Sequence, residues 1–504
     1  MNTEHLLLAL PLIPLFLLAI SLVAKVGFRR DLTPLAIPVN HVLQALVGVG
    51  LWLRFHSAAD SLSVPLSVFP HPIVFSFDRF RLYFLAAYLI PLLFSLFRLR
   101  RLDSPELRTV FLFYLAGCSG LLVTGDIFNF FVFYEMMIMA AYVLIAARRL
   151  FYASVKYMLI NAVSSVLLLS GIIVLYASGA MFEFDYAPSA RSWTLDNRTW
   201  LLVFFTSAFL VKSAFFPASG WIAGCHSATH GVISAFLGSF TVFSGVFGLI
   251  YLVLNPAAAL GMETPFRLLR ALSWVALPMA ALFMFFEPEP KRVVAGSTVL
   301  AVGWVGLLLA SGWTEAALIY LALHALYKSA MFYLLDEMEV QALEVRARSG
   351  TWALVLPGIL FSVGAFPAAG YFLKTPLLEG GWAVRFVFMA TLFLSTAAFF
   401  KFRPRLAATP KAGRGWALPV APILLGATLW IARRPGIFSL LVEWAIILAA
   451  AVWAAPLFAR FSRWARLDRR WVFGDLNREL FYILALFAIV LAYFWADVGA
   501  GPAG

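Results

Sequence analysis

Two lysines sit in apolar stretches that a proline also interrupts. Lys212 stands five residues before Pro217 in VFFTSAFLVKSAFFPASGW, and Lys374 stands seven residues after Pro367 in LVLPGILFSVGAFPAAGYFLKTPLL. The two prolines are 150 residues apart. An ionisable group in hydrocarbon costs several kcal/mol, so it marks a functional position by default. Interrupted apolar helices at matching places in two halves of a chain point to an ion or substrate site. The chemistry on offer is reversible proton binding at a buried amine.

Other titratable residues fit that chemistry. Glu135 lies nine residues after Asp126 in DIFNFFVFYEMMIMAAYVLIAA, about 13 Å along a helix and near mid-membrane. A carboxylate at that depth must be neutral, paired or hydrated. Lys212 is its natural partner: an amine buried beside a carboxylate releases and rebinds a proton as the partner moves. The same pair equally reads as a structural tie that fixes packing. Asp126 follows Gly125 and reads as the helix cap. His324 and Lys328 are four apart in LALHALYKSAMFYLL and share one helix face. They suit a proton wire; the plainer reading has His324 bonded to a backbone carbonyl and Lys328 snorkelling to the cytoplasm. His226 and His230 in GCHSATHG are also four apart, beside Cys225. A zinc site needs three or four ligands and a second shell, so these histidines read better as proton access than as a metal site. A satisfied pair in a broken-helix loop is the alternative. The sequence shows no phosphate-binding glycine loop, iron–sulfur cysteine run or haem motif, so no cofactor is expected.

The elements that position these residues are membrane helices. The 504-residue chain is 63% hydrophobic and 12% charged, against about 25% charged in a soluble domain. Apolar runs of roughly 20 residues recur throughout. The expected fold is all-α and polytopic, with sixteen spans, or fourteen to fifteen if the weakest are dropped. Relevant spans fall at 80–97, 199–217, 229–253, 293–311, 316–335, 350–374, 416–432, 437–458 and 479–497. Long strands are not expected. The net charge of +13 does not signal nucleic acid, because the cations fall in short loops. Lys25, Arg29 and Arg30 follow the first span; Arg148, Arg149 and Lys156 the fifth; Lys291 and Arg292 the ninth; Arg460 to Arg470 the fifteenth. All of these lie on one side, read as cytoplasmic, with Arg433 and Arg434 as exceptions. Both termini then face outward. The first span reads as a retained helix rather than a signal peptide, and Cys118 and Cys225 as reduced core residues. The segment ARFSRWARLDRRWVF reads either as an interfacial helix against lipid headgroups or as an ordinary basic loop. Four regions are expected: 1–108, N-terminal helices; 109–253, a first repeat; 269–400, a second repeat; and 401–504, C-terminal helices.

In this order the segments resemble the antiporter-like membrane subunits shared by respiratory complex I, Mrp-type sodium/proton antiporters and energy-converting hydrogenases. GDIFNFFVFYEMMIMAAYVLIA is similar to the family's glutamate-bearing fifth helix, at Glu135. LVKSAFFPASGWIAG resembles the broken seventh helix, with its lysine at Lys212. KRVVAGSTVLAVGWVGLLLA resembles the tenth helix. ALIYLALHALYKSAMFYLL resembles the eleventh, at His324 and Lys328, and GAFPAAGYFLK the second broken helix, at Lys374. The resemblance covers roughly residues 109–400. It implies two inverted five-helix repeats, each with a broken helix, and translocation of protons or sodium along a buried polar axis. It also implies a multi-subunit complex in an inner or plasma membrane. The sequence departs from the family at Trp221-Ile222-Ala223 and at Thr229-His230. In the eighth helix Gly238, Phe243 and Ser244 stand where many members carry a histidine or lysine. The leading expectation is an ion-translocating subunit. The alternatives are a non-conducting scaffold that docks a hydrogenase or inorganic-carbon uptake partner, and a solute carrier or lipid-modifying enzyme.

Overall fold

Helices that are apolar on nearly every face dominate the structure, as a chain solvated by lipid rather than water requires. The structure is a computed structural model that describes residues 3–57, 61–66, 73–96, 102, 104–147, 151–179, 182–341, 377, 381–400 and 476–499. In chain order these form α1 (Thr3–Phe28), α2 (Thr33–Phe55), β1 (Leu62–Leu66), β2 (Ile73–Phe77), α3 (Arg81–Ser95), α4 (Pro105–Val123), α5 (Ile127–Ala146), α6 (Phe151–Ala177), the single turn α7 (Ala187–Ala190) and α8 (Leu195–Lys212). Then come α9 (Gly220–Ala228), α10 (Gly231–Ala259), α11 (Thr264–Phe286), α12 (Pro290–Ala310), α13 (Thr314–Gln341), α14 (Trp382–Phe400) and α15 (Leu476–Gly499). Among the described residues, eleven helices are long and apolar enough to cross a membrane. The protein is a multi-pass membrane protein. The expected spans at 350–374, 416–432 and 437–458 lie outside the described residues, as does the ARFSRWARLDRRWVF segment.

The described residues fall into two compact units. The first draws on Met1–Trp221, Phe240–Leu268 and Leu476–Gly504; the second on Ile222–Ser239 and Leu269–Asp475. In the first unit, α4, α5, α6 and α8 pack in sequence order and α15 lies against α8 and α6. In the second, α13 packs on α12 and on residues 231–236 of α10.

Several details depart from expectation. β1 and β2 form an antiparallel hairpin with Leu62 opposite Phe77, where the sequence reading has no strand. Its partner is the α4–α5 joint: Gly125 N–H donates to Val74 O at 2.7 Å, and Val74 N–H donates to Asp126 Oδ2 at 3.0 Å. Asp126 also caps α5, accepting from Asn129 N–H at 2.7 Å. α3 has only 15 residues, shorter than the span expected at 80–97. The seventh span is expected to run to Pro217, yet α8 ends at Lys212. There Ser213 N–H closes on Phe209 O and Phe215 N–H on Leu210 O, with Ala214 in the left-handed region at φ 53°. The helix therefore breaks over residues 213–219 and restarts at Gly220. α10 carries two π-helical turns, Leu237–Thr241 and Leu249–Leu254, a form that clusters at functional sites.

Candidate functional site

In the first unit the site is built on one polar face of α6. Asn161, Ser164 and Ser165 lie three and four residues apart and so share that face. Lys212, the last residue of α8, is fully buried. Its Nζ donates to Asn161 Oδ1 at 3.0 Å. Two rings also take the amine, with Nζ 4.8 Å from the centroid of Tyr134 and 5.7 Å from that of Tyr157. Asn161 is oriented by its own Nδ2, which donates to Tyr157 O at 2.8 Å. Tyr134 hydroxyl bonds Ser164 Oγ, and Ser164 Oγ donates to Ala208 O at 2.8 Å.

Glu135 is half-buried, and Ser165 Oγ donates to its Oε1. The direct Glu135–Lys212 ion pair expected from the sequence is therefore replaced. Among the described residues no salt bridge joins them, because Asn161 takes the amine and Ser165 the carboxylate. The physical reason lies in α6, whose small polar side chains stand beside both groups. An amine held by an amide and two rings keeps hydrogen-bonding partners with or without its proton. Lys212 also lies in the last turn of a helix, where the backbone dipole favours a cation.

A second set lies in the other unit. Lys328 is fully buried, which removes the snorkelling alternative. Its Nζ donates to Val294 O and, at 2.6 Å, to Ser297 Oγ, both on α12. The Phe332 ring centroid is 5.6 Å from the same amine. His226, also fully buried, stacks on Phe332 at 4.4 Å with the rings 12° from parallel. His226 and Lys328 thus share one ring. His324 is buried on α13, one turn before Lys328, with Tyr320 at 6.2 Å. His230 is the residue before α10. Among the described residues no group of three or more His, Cys, Asp or Glu gathers as metal ligands. Lys374 lies outside the described residues.

Two lysines read as loop cations are buried and paired instead. Lys156 Nζ lies 2.9 Å from Glu479 Oε1. Lys291 Nζ lies 3.6 Å from Asp336 Oδ1 and donates to Thr229 O at 3.3 Å. Position near a span end does not distinguish a cation that reaches water from one that finds a carboxylate. Asn161 escapes sequence reasoning because a polar but uncharged residue in an apolar helix carries no signal beyond its burial cost. The arrangement supplies buried amines with neutral hydrogen-bonding partners, which suits proton exchange.

Comparison with known proteins agrees. The profile of the NADH:quinone oxidoreductase/Mrp antiporter transmembrane family matches residues 124–400. The chain is 28% identical to NADH-quinone oxidoreductase subunit N of Desulforudis audaxviator (strain MP104C) over 64% of this chain and 69% of that protein. It is 26% identical to a Na(+)/H(+) antiporter subunit of Bacillus subtilis (strain 168), over 67% of this chain and 72% of that protein. A chain of the membrane-bound sulfane sulfur reductase, an archaeal respiratory membrane complex, superposes with a TM-score of 0.73 at 19% identity, covering 96% of this chain and all of that one. That likeness carries the fold alone. With more than half of its length matched by the family profile, the chain belongs to the NADH:quinone oxidoreductase/Mrp antiporter transmembrane family.

Proposed function

We propose that this protein is the ion-translocating subunit of a larger membrane complex and that it moves protons, with sodium as the alternative ion. The observation that carries the reading is Lys212: a fully buried amine in the last turn of a broken helix, held by the neutral Asn161 and by two rings. Glu135 and Lys212 form one exchange site. A change of charge at the half-buried Glu135, driven by a neighbouring subunit, alters the field at the amine, and the proton leaves or returns through hydrogen-bonding neighbours. His324, Lys328 and Lys374 are further carriers, and His226 and His230 give proton access. The first repeat, 109–253, supplies the break that follows Lys212; the second, 269–400, carries Lys328 and Lys374, the latter outside the described residues. Family membership and the antiporter name of the Bacillus relative support this assignment, as does the burial of Lys328 against α12. The host is an inner or plasma membrane, and the partners are other membrane subunits and lipid.

The test is proton flux into vesicles that contain the native assembly. Lys212→Ala and Lys374→Ala are each expected to lower flux at least about tenfold, as loss of an obligatory carrier of proton transfer does. Unchanged flux with normal assembly in both variants would overturn the reading.

A further inference from the structure

The break that follows Lys212 has a second charged side. α9 restarts the chain at Gly220, and the first turn of the C-terminal helix α15 presents Glu479 to it. Glu479 is 1% exposed. Its Oε1 accepts from Lys156 Nζ at 2.9 Å, and the same Nζ donates to Gly220 O at 3.2 Å. The fit is close: a Cβ built on Gly220 would fall 1.8 Å from Oε1 and 2.2 Å from Oε2. Gly220 is glycine because the carboxylate occupies the space of its side chain. Oε2 is buried with no hydrogen-bond partner. A second bond fixes the same turn, since Leu476 N–H donates to Tyr152 hydroxyl at 3.1 Å.

A broken helix exposes a partial negative charge at the end of its first half and a partial positive charge at the start of its second. Here the first end carries the Lys212 amine and the second meets the Glu479 carboxylate. Both are served by α6, through Asn161 and Lys156, five residues or about 7.5 Å apart along the helix. A plain cross-link between α6 and α15 would not need the carboxylate pressed against a glycine at a helix start.

We propose that Glu479 is a positioning residue for the exchange site. Through its carboxylate, with Lys156 as counter-ion, the C-terminal helix holds the start of α9 and so fixes the break that presents Lys212. The transport consequence rests on the function proposed above; the holding role does not.

The experiment uses the full chain in its native membrane, with Cys118→Ala so that Cys225, five residues into α9 and 1% exposed, is the remaining thiol. The measurements are the rate of Cys225 labelling by N-ethylmaleimide and the proton flux. The variants are Glu479→Gln and the neutral pair Lys156→Met/Glu479→Gln. The neutral pair leaves no lone buried charge, so it assembles even where the single variant does not. Both are expected to raise labelling about tenfold, the scale of a lost charge at a helix start, and to lower flux by a similar factor. If Glu479→Gln acted only by leaving Lys156 without its counter-ion, the neutral pair would restore wild-type labelling, and that result overturns the holding role whatever the flux does. Raised labelling with unchanged flux upholds the holding role and overturns its link to transport.

Discussion

Gly245 stands where α10 crosses the end of α8, and its replacement by alanine probes how tightly the break is built. A Cβ at that position would lie 2.5 Å from Ser213 N, 2.9 Å from Phe209 O and 2.9 Å from Ser213 Cα. Ordinary contact begins at 3.4 Å, so the backbones must part by about 0.9 Å, an overpacking that costs about 1–3 kcal/mol. All three obstacles are main-chain atoms, and no rotamer relieves them. The last turn of α8 must move and carry Lys212 with it. The Nζ–Asn161 bond, at 3.0 Å, is already near the middle of the permitted range and breaks with a displacement of that size. Gly248 supplies the control. The three atoms nearest its Cβ would all belong to the Phe209 ring, at 2.3 to 2.6 Å, and a ring can tilt where a backbone cannot. Thermal midpoint in detergent and proton flux in vesicles are the assays. Gly245→Ala is expected to lower both, and Gly248→Ala to lower both less. A Gly245→Ala protein with wild-type midpoint and flux, or a larger loss for Gly248→Ala, would refute the argument.

Two further outcomes follow from the same geometry. Asn161→Asp places a carboxylate 3.0 Å from the Lys212 amine, a gross attraction of about 5 kcal/mol at an effective dielectric of 20. Flux should fall about tenfold or more while the thermal midpoint holds or rises, since an exchangeable amine has become a closed ion pair; wild-type flux would reject the need for a neutral partner. Asp31, in the loop before α2, is opposed by partial burial, but hydrogen bonds from Thr33 and Arg108 hold its carboxyl below the usual value. A depressed acid stabilises the folded state above its unfolded pKa of about 3.9, and that contribution disappears as pH falls through the folded value. Asp31→Asn should therefore lower the midpoint at pH 7 and flatten its decline below about pH 4; identical acid declines in the two proteins would exclude the contribution.

What the sequence discloses depends on how far each cause extends along the chain. The Asp126 cap is a three-residue event, and it is legible. The break near Pro217 is legible too, though not its edge. Proline constrains the residue before it, whereas here the helix ends five residues earlier, at a left-handed Ala214 that no side chain announces. The hairpin escapes notice because LSVPL and IVFSF are short, and Pro65 weakens the first as a strand; docking of β2 on the α4–α5 joint organises it, and that is a tertiary fact. Lys156 and Lys291 mislead for the same reason. Their carboxylates come from Glu479 and Asp336, 323 and 45 residues away, and no local pattern pairs them.

A break in a membrane helix frees backbone groups that lipid cannot satisfy. Here carbonyls at the end of α8 are satisfied within the first unit. Leu210 O receives Phe215 N–H at 3.0 Å and Ser213 Oγ at 3.2 Å. Val211 O receives Ala214 N–H at 3.1 Å and the Trp221 indole at 3.4 Å. What local bonds leave over is the net field of two helix ends, and only charge or a strong dipole offsets that. Lys212 and Glu479 sit at those ends, one on the helix itself and one brought from the far end of the chain. Under the proposed function, the Lys212 charge at the first end is also the charge that proton exchange must change. An exchange site of this kind cannot be neutralised without cost to the fold around it. α6 reaches both ends, through Asn161 and Lys156, and the glycines at 220 and 245 leave no room for a side chain beside the break.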